Sequence, residues 1–190
     1  MIKAILLAAG QSKRLKNENK LIKKFKNKSL INYPLNSLIK SNVNKIIIVL
    51  GHESVKIKRI IKKNKKINFV INKKYKSGIS SSIKTGLKKI SKKDSGFIIV
   101  QSDMPFIKTT TINKICTSIV KKKYLIHVPK FKKKIGNPVG FDISLISKFK
   151  KIKGKIGAKF MVKRLEKSTN FIKVSSGKFF KDFDLSKDFN

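Results

Sequence analysis

Residues 2–21, IKAILLAAGQSKRLKNENKL, decide how the rest of the chain is interpreted. The apolar run at 4–7 is typical of a buried strand, and it leads directly into the small residues Ala8, Ala9 and Gly10. Six basic residues follow between positions 13 and 24. Small residues allow backbone N–H groups to approach an anion closely, and nearby cations neutralise its charge. The stretch therefore predicts a phosphate-binding loop at the end of a first strand.

The composition is strongly basic, with 48 lysines and arginines against nine acidic residues and a net charge of +39. Such a charge can attract nucleic acid, because basic side chains neutralise phosphates. Only three of the basic residues are arginine, however, and arginine is the residue that suits base recognition best. The lysines are spread along the whole chain. We therefore interpret them as a solvated surface that attracts anionic substrates such as nucleotides, and we do not expect nucleic acid to be the partner.

The length of 190 residues and the hydrophobic fraction of 40% predict a single domain spanning residues 1–190 with one good core. No apolar run reaches the roughly 18 residues needed to cross a bilayer, so we expect no membrane partner. The first apolar run is also too short for a signal peptide. Cys116 is the single cysteine, which excludes an internal disulfide and favours a reducing, cytoplasmic location.

Short apolar runs alternate with segments of helical periodicity along the chain. This alternation predicts an α/β protein: a three-layer α/β/α sandwich with a mainly parallel, Rossmann-like sheet. Ligands of such sheets bind beyond the carboxyl ends of the strands. The predicted strands are 3–7, 45–50, 68–71, 97–100 and 124–128, with weaker ones at 138–141 and 171–174. The predicted helices are 29–40, 55–63, 80–90, 110–122, 143–149 and 158–166.

The loop after the first strand has one glycine, whereas phosphate-binding loops of the P-loop and dinucleotide-binding types need two or three. An ordinary strand–helix turn is therefore the alternative interpretation. Among the carboxylates, Asp103 stands out because it directly follows the most apolar predicted strand and precedes Pro105. Mg²⁺ usually takes one or two carboxylates together with phosphate oxygens and water. Asp103 lies several residues too early to cap the helix near Thr109, so the metal-ligand interpretation is favoured.

Several motifs together resemble the MobA-like NTP transferase family, and within it the molybdenum cofactor cytidylyltransferase branch. Most of these motifs are individually weak, but they occur in the family's order from residue 4 to about residue 188. They are L-A-A-G-x-S-x-R at 7–14, N-K-L at 19–21, NKKYKSGISSSIKTGL at 72–87, D-M-P at 103–105, G-N-P-V at 136–139, GKIGA at 154–158 and D-F-D at 182–184.

The resemblance implies a nucleotidyltransferase that moves NMP from an NTP to a phosphate-bearing acceptor and releases pyrophosphate. It assigns Arg14 and Lys20 to the phosphates, with Asp103 as the third catalytic residue. Mg²⁺ is the implied cofactor, with Asp103 and Asp184 as ligands and Asp182 as the fallback. The implied nucleotide-binding residues are Leu7, Ala8, Ala9, Gly10, Arg14, Lys20, Gly78 and Ser82.

The same resemblance implies particular partners. Ala9 stands where related guanylyltransferases have glycine, so CTP is favoured over GTP. The implied acceptor is a molybdopterin-type cofactor, with a molybdenum hydroxylase as the recipient of the product. The alternatives are a sugar-phosphate or alcohol-phosphate nucleotidyltransferase, and, from other classes, a lysine-rich nucleic-acid-binding module or an inactive cofactor chaperone. Lys16 and Lys155 depart from the family pattern, since they replace a glycine and an acid.

Overall fold

The computed structural model describes residues 1–12, 15, 18–154 and 156–189. Its strands are β1 Ile2–Ala8, β2 Lys24–Phe25, β3 Lys28–Ser29, β4 Lys45–Leu50, β5 Ile67–Ile71, β6 Gly96–Gln101, β7 Ile126–Phe131, β8 Lys134–Ile135, β9 Val139–Asp142 and β10 Thr169–Lys173. Its α-helices are α1 Asn32–Ile39, α2 Ser54–Arg59, α3 Ile79–Leu87, α4 Thr109–Val120, α5 Ile146–Phe149 and α6 Lys159–Arg164.

The main sheet has the strand order β10-β7-β9-β6-β1-β4-β5, with β8 paired to β7. Strand β1 is central and runs parallel to both β4 and β6. The pairs β4–β5 and β7–β10 are also parallel, whereas β9 runs antiparallel to β6 and β7. The predicted fold class, a mainly parallel sheet with helices on both faces, is confirmed.

Alternating side chains of the central strand feed two hydrophobic clusters, one on each face of the sheet. Ala4, Leu6 and Ala8 pack with residues of α1 and α4, and Ile5 and Leu7 pack with residues of α3, α5 and α6. Successive side chains of a strand point to opposite faces, so a strand covered on both sides must be apolar throughout. This is why the strands appear in the sequence as continuous apolar runs.

The main differences from the predicted elements lie in short segments. The strands β2 and β3 form a two-residue-turn hairpin that the sequence did not predict, because two-residue strands have no measurable periodicity. Its turn residues, Lys26 and Asn27, both have positive φ angles of 44° and 63°, as such tight hairpin turns require. The hairpin shortens the predicted helix 29–40 to Asn32–Ile39.

The carboxyl ends of β1, β4 and β6 lie together at one edge of the sheet, because the three strands are parallel and in register. The loops that follow these strands therefore meet at this edge. No helix in the described part of the chain is both long and apolar enough to cross a membrane.

His127 is a buried histidine at the centre of the smaller half of the sheet. It pairs in register with Gly140 of β9 and Asn170 of β10, and it has no exposed surface. Within the described residues, neither ring nitrogen makes a hydrogen bond of good geometry. Burial lowers the pKa of His127 from 6.5 to about 4, and the charge of Asp142 only partly opposes this shift. The folded protein therefore holds this imidazole in its neutral form.

Stability should consequently fall in acid through His127. The unfolded chain binds the proton near pH 6.5 and the folded chain near pH 4, so stability is complete above pH 6.5 and is lost as pH falls toward 4. The loss is at most about 1.4 kcal/mol per pH unit. Urea unfolding at pH 7 and pH 5 should show a smaller decrease in His127→Leu than in the wild type. His52→Leu, which changes a half-exposed histidine, is the control and should behave like the wild type. An equal decrease in His127→Leu would contradict the assignment.

Candidate active site

One ammonium group joins two carboxylates at the carboxyl edge of the sheet. Nζ of Lys20 lies 2.6 Å from Oδ2 of Asp103 and 2.5 Å from Oδ1 of Asp184. The side chains are only 15%, 19% and 30% exposed, respectively. The partners are 83 and 164 positions from Lys20 in the sequence, so only the fold brings them together.

Lys20 is positioned by a turn that the N-K-L motif forms. Oγ of Ser12 accepts a hydrogen bond from the backbone N–H of Lys20 at 3.1 Å. Oδ1 of the buried Asn19 accepts one from the N–H of Leu21, also at 3.1 Å. The side chain of Leu21 is buried in the core below. Asparagine thus closes the turn, leucine anchors it, and the lysine between them extends into the site.

Asp184 is held in place by the C-terminal segment, which packs through aromatic rings. The N–H of Phe183 donates a hydrogen bond to the backbone oxygen of Asp103 at 2.9 Å. The Phe183 ring lies 4.8 Å from that of Phe25 in the β2–β3 hairpin and 5.9 Å from that of Phe106, centroid to centroid. Edge-to-face packing of this kind adds to the hydrophobic gain of burial. The neighbouring carboxylate is therefore fixed against Asp103 from the far end of the chain.

Burial and charge act in opposite directions on this cluster. Burial raises the pKa of Asp103 above its ordinary value, the Lys20 ammonium counters this, and the nearby charge of Asp182 adds to the increase. Burial alone would lower the pKa of Lys20, but Asp103 and Asp184 together raise it. Lys20 therefore stays charged, and its charge opposes the increase that burial causes in the pKa of Asp103.

The three side chains of the cluster line a cavity of about 500 Å³. Its walls combine apolar side chains with bare backbone and a few polar groups, as expected of a site for a small organic ligand. The lining residues are Leu7, Ala9, Gly10, Gln11, Ser12, Lys20, Leu21, Tyr75, Lys76, Gly78, Ile79, Ser82, Gln101, Ser102, Asp103 and Asp184.

Two glycines of the lining differ in what the fold demands of them. Gly78 has a φ angle of +105°, and a Cβ there would lie 2.4 Å from the backbone oxygen of Gly154, so the fold itself requires glycine. At Gly10 an added Cβ would meet no atom within 4 Å, and the backbone is not left-handed. Gly10 instead exposes its backbone to the cavity, which suits close approach by a ligand.

The wall around Ser82 is held by a buried asparagine. Nδ2 of Asn72 donates hydrogen bonds to Oγ of Ser81 at 2.8 Å and Oγ of Ser82 at 3.0 Å. Its Oδ1 accepts from the N–H of Lys74 at 3.0 Å. Asn72 thus ties the end of β5 to the first turn of α3 and orients the Ser82 hydroxyl at the cavity.

The structure brings most of the predicted site residues to this cavity. Those that line it are Leu7, Ala9, Gly10, Lys20, Gly78, Ser82, Asp103 and Asp184. Ala8 does not, because strand alternation turns its methyl group into the core on the opposite face. Asp182, the fallback ligand, is exposed and does not line the cavity. Arg14 and the unusual Lys16 and Lys155 lie outside the described residues.

The carboxylates fit a divalent metal that also needs ligands from a substrate. No group of three or more His, Cys, Asp or Glu side chains comes together in residues 1–12, 15, 18–154 and 156–189. A hard cation such as Mg²⁺ requires only one or two carboxylates when phosphates and water complete its shell. Oδ1 of Asp103 is buried and accepts no hydrogen bond from the described residues, so this carboxylate has unused capacity to bind a cation.

Comparison with known proteins identifies the family. Residues 4–169 match the MobA-like NTP transferase domain. The chain belongs to this family. The resemblance of the motifs to this family is thereby confirmed, and the cavity occupies the edge of the sheet where a nucleotide-binding site of such a transferase is expected.

Two curated relatives of this MobA-like NTP transferase are longer than the matched region. The 2-C-methyl-D-erythritol 4-phosphate cytidylyltransferase of Lachnoclostridium phytofermentans is 34% identical over 66% of this chain and 54% of its own. The bifunctional protein GlmU of Clostridioides difficile is 28% identical over 73% of this chain and 29% of its own. The chain thus matches about half of one relative and less than a third of the other.

A solved structure covers nearly the whole chain. Rv0371c of Mycobacterium tuberculosis superposes with a TM-score of 0.86 at 19% identity, over 98% of this chain and 94% of its own. Its complex with manganese superposes with a TM-score of 0.81 at 17% identity, over 98% and 95%. At this level of identity the comparison supports the shared fold.

Sequence reasoning missed the residues that support the cluster. Ser12, Asn19 and Phe183 contact it through hydrogen bonds or packing, yet none of them was assigned a role. Ser12 and Asn19 lie inside the motifs at 7–14 and 19–21, so their place in the motifs and their polar side chains could have indicated a supporting role. Phe183 lies between the two aspartates of D-F-D, and its partner Phe25 could be found only from the fold.

Phe183 should act as a positioning residue for Asp184. In Phe183→Ala the C-terminal segment should open locally, because removing a buried phenylalanine costs about 3 kcal/mol or more. Hydrogen exchange of the backbone amide at position 183 should accelerate by at least about tenfold, while the amides of β6 keep their protection. Leu185→Ala is the matched control, since Leu185 is 42% exposed and Phe183 only 1%. Equal exchange in both variants would show that the ring does not hold the segment.

Gly10 should matter for ligand binding and not for folding. Gly10→Ala should leave the free energy of unfolding unchanged, since the added methyl group contacts nothing. The methyl group would occupy open space beside a residue that lines the cavity, so the Kd for a nucleotide should rise by about tenfold or more in calorimetry. Gly177→Ala, where the new Cβ makes ordinary contacts at 3.5 Å, is the control and should bind the nucleotide like the wild type. Unchanged nucleotide binding by Gly10→Ala would exclude close approach at this position.

Proposed function

We propose that residues 1–190 form a single Mg²⁺-dependent nucleotidyltransferase domain that moves NMP from an NTP, with CTP favoured, to a phosphate-bearing acceptor. The observation that carries the proposal is the Lys20 ammonium between Asp103 and Asp184 in the lining of the 500 Å³ cavity. A lysine and two carboxylates at the carboxyl edge of a parallel sheet provide the charges that nucleotidyl transfer needs. Membership of the MobA-like NTP transferase family supports the same chemistry.

The reaction joins two anions, so the site has to neutralise charge. An oxygen of the acceptor phosphate attacks the α-phosphorus, the new P–O bond forms, and the bond to the bridging oxygen breaks as pyrophosphate leaves with the electron pair. Mg²⁺ held by Asp103 and Asp184 would supply positive charge next to the phosphate oxygens. Lys20 binds the α-phosphate, and Arg14 binds the β- and γ-phosphates by its place in the motif.

The nucleoside end is assigned to the residues of the cavity that follow β1 and begin α3. Leu7, Ala9 and Gly10 line the cavity together with Gly78 and Ser82. The Ser82 hydroxyl is oriented by Asn72 and provides a hydrogen-bonding group for a base. CTP is favoured because Ala9 replaces a glycine of guanylyltransferases and because the relative that is 34% identical is named a cytidylyltransferase.

Two acceptor classes have separate support. The ordered motifs favour a molybdopterin-type cofactor as acceptor, with delivery of the product to a molybdenum hydroxylase. The name of the 34% identical relative favours an alcohol phosphate, since that enzyme is named for an erythritol 4-phosphate derivative. The reacting group is a phosphate in both cases, so the cluster at Lys20 serves either acceptor by the same chemistry.

Pyrophosphate release tests the proposal. Each NTP is combined with Mg²⁺ and with molybdopterin, 2-C-methyl-D-erythritol 4-phosphate or a hexose 1-phosphate. We expect turnover with CTP and one acceptor class, and a kcat lower by about a hundredfold or more in Asp103→Asn and Asp184→Asn.

Asp182→Asn is the matched control, because it removes the same charge from an exposed carboxylate two positions from Asp184. It should retain nearly full activity. Absence of turnover with every acceptor, or full activity in Asp103→Asn, would refute the proposed function. Strong salt-dependent DNA binding without turnover would instead support a nucleic-acid-binding module.

A further inference from the structure

The Lys20 ammonium lies where a cation would be held by two carboxylates. Its distances of 2.6 Å to Asp103 and 2.5 Å to Asp184 mean that one positive charge serves both acids. The ammonium contacts Oδ2 of Asp103, whereas Oδ1 of Asp103 has no hydrogen-bond partner among the described residues. Lys20 therefore offsets one of the two negative charges and leaves Oδ1 of Asp103 able to bind a cation.

We propose that Lys20 is an internal counter-ion that excludes a divalent metal from Asp103 and Asp184 until a nucleotide phosphate draws the ammonium away. This inference rests on the proposed function, because it assumes that Lys20 exchanges the carboxylates for a phosphate. Its consequence is that metal and nucleotide bind with positive coupling, each raising the affinity for the other.

The cost of isolated charge in a buried site enforces this exchange. If a divalent ion reached the carboxylates alone, the Lys20 ammonium would lose its partners and would be repelled by the ion beside it. A phosphate that drew Lys20 away alone would leave Asp103 and Asp184 facing each other without that cation. When both ligands are present, the ammonium pairs with the phosphate and the carboxylates pair with the metal. The joint exchange therefore gives the ammonium, the carboxylates and both ligands partners of opposite charge.

The structure gives Lys20 the freedom to make this exchange. Its backbone is fixed by the bond from its N–H to Ser12 and by the anchored Leu21, so the turn itself need not move. The side chain lines the same cavity as Gly10 and Gln11. A lysine side chain has four rotatable carbon–carbon bonds and one terminal charge, so rotation at these bonds can carry the ammonium from the carboxylates to a phosphate at Gly10.

Removal of the ammonium should therefore strengthen binding of metal alone. Mn²⁺ binding without nucleotide is measured by calorimetry and by the loss of the free-ion paramagnetic resonance signal. Lys20→Met should bind Mn²⁺ about tenfold more tightly than the wild type, because the Lys20 ammonium no longer competes with the metal for Asp103 and Asp184. The control is Lys24→Met, which removes the same charge from an exposed lysine four positions away and should match the wild type. Equal or weaker Mn²⁺ binding by Lys20→Met would overturn the inference.

Coupling provides the second measurement. A non-hydrolysable CTP analogue should raise the Mn²⁺ affinity of the wild type by about tenfold or more, after allowance for Mn²⁺ bound by the analogue itself. In Lys20→Met this gain should be much smaller. If the variant is too unstable for titration, the rise in Tm caused by Mn²⁺ should be larger in Lys20→Met than in the wild type. An equal gain, or an equal rise in Tm, would also overturn the inference.

The outcomes separate this inference from the function on which it rests. Pyrophosphate release by the wild type together with unchanged Mn²⁺ binding in Lys20→Met would refute the counter-ion exchange and leave the transferase. Tighter Mn²⁺ binding in Lys20→Met, together with no pyrophosphate release by the wild type for any NTP and acceptor, would refute the transferase and leave a metal site controlled by lysine.

Discussion

The contact of Lys20 with Asp103 and Asp184 is the interaction around which the candidate site is built. Buried charges are stable only when they are paired, so three distant segments must meet for any of them to be tolerated. The turn after β1, the end of β6 and the C-terminal segment converge at one nitrogen atom. The same pairing concentrates the charges that a phosphate and a metal would need.

Two structural features make this convergence possible. The parallel register of β1 with β4 and β6 places their carboxyl ends, and hence the loops after them, at one edge of the sheet. The aromatic contacts of Phe183 with Phe25 and Phe106 then bring the end of the chain back to that edge. The sheet therefore supplies Asp103 and the base of the cavity, while packing of the C-terminal segment supplies Asp184.

Much of the fold could be predicted because its signals are local. The apolar runs at β1, β4 and β6 are long enough to be recognised as strands. The predicted ends of the amphipathic helices α3 and α4 lie within three residues of the observed ends. The β2–β3 hairpin and the 3-10 turns near the C-terminus were not predicted, since segments of two to four residues have no usable periodicity. Their shape depends on the packing of residues that are far apart in the sequence.

The sequence by itself determined the fold class, the family and the chemical groups of the site, because strand and helix patterns and the motifs around Lys20, Asp103 and Asp184 are written in consecutive residues. Only the tertiary structure decided that the lysine binds both acids, that Ala8 faces the core, and that Asp184 and not the exposed Asp182 reaches the cavity. The physical reason is that distances between segments up to 164 positions apart are set by strand register and side-chain packing.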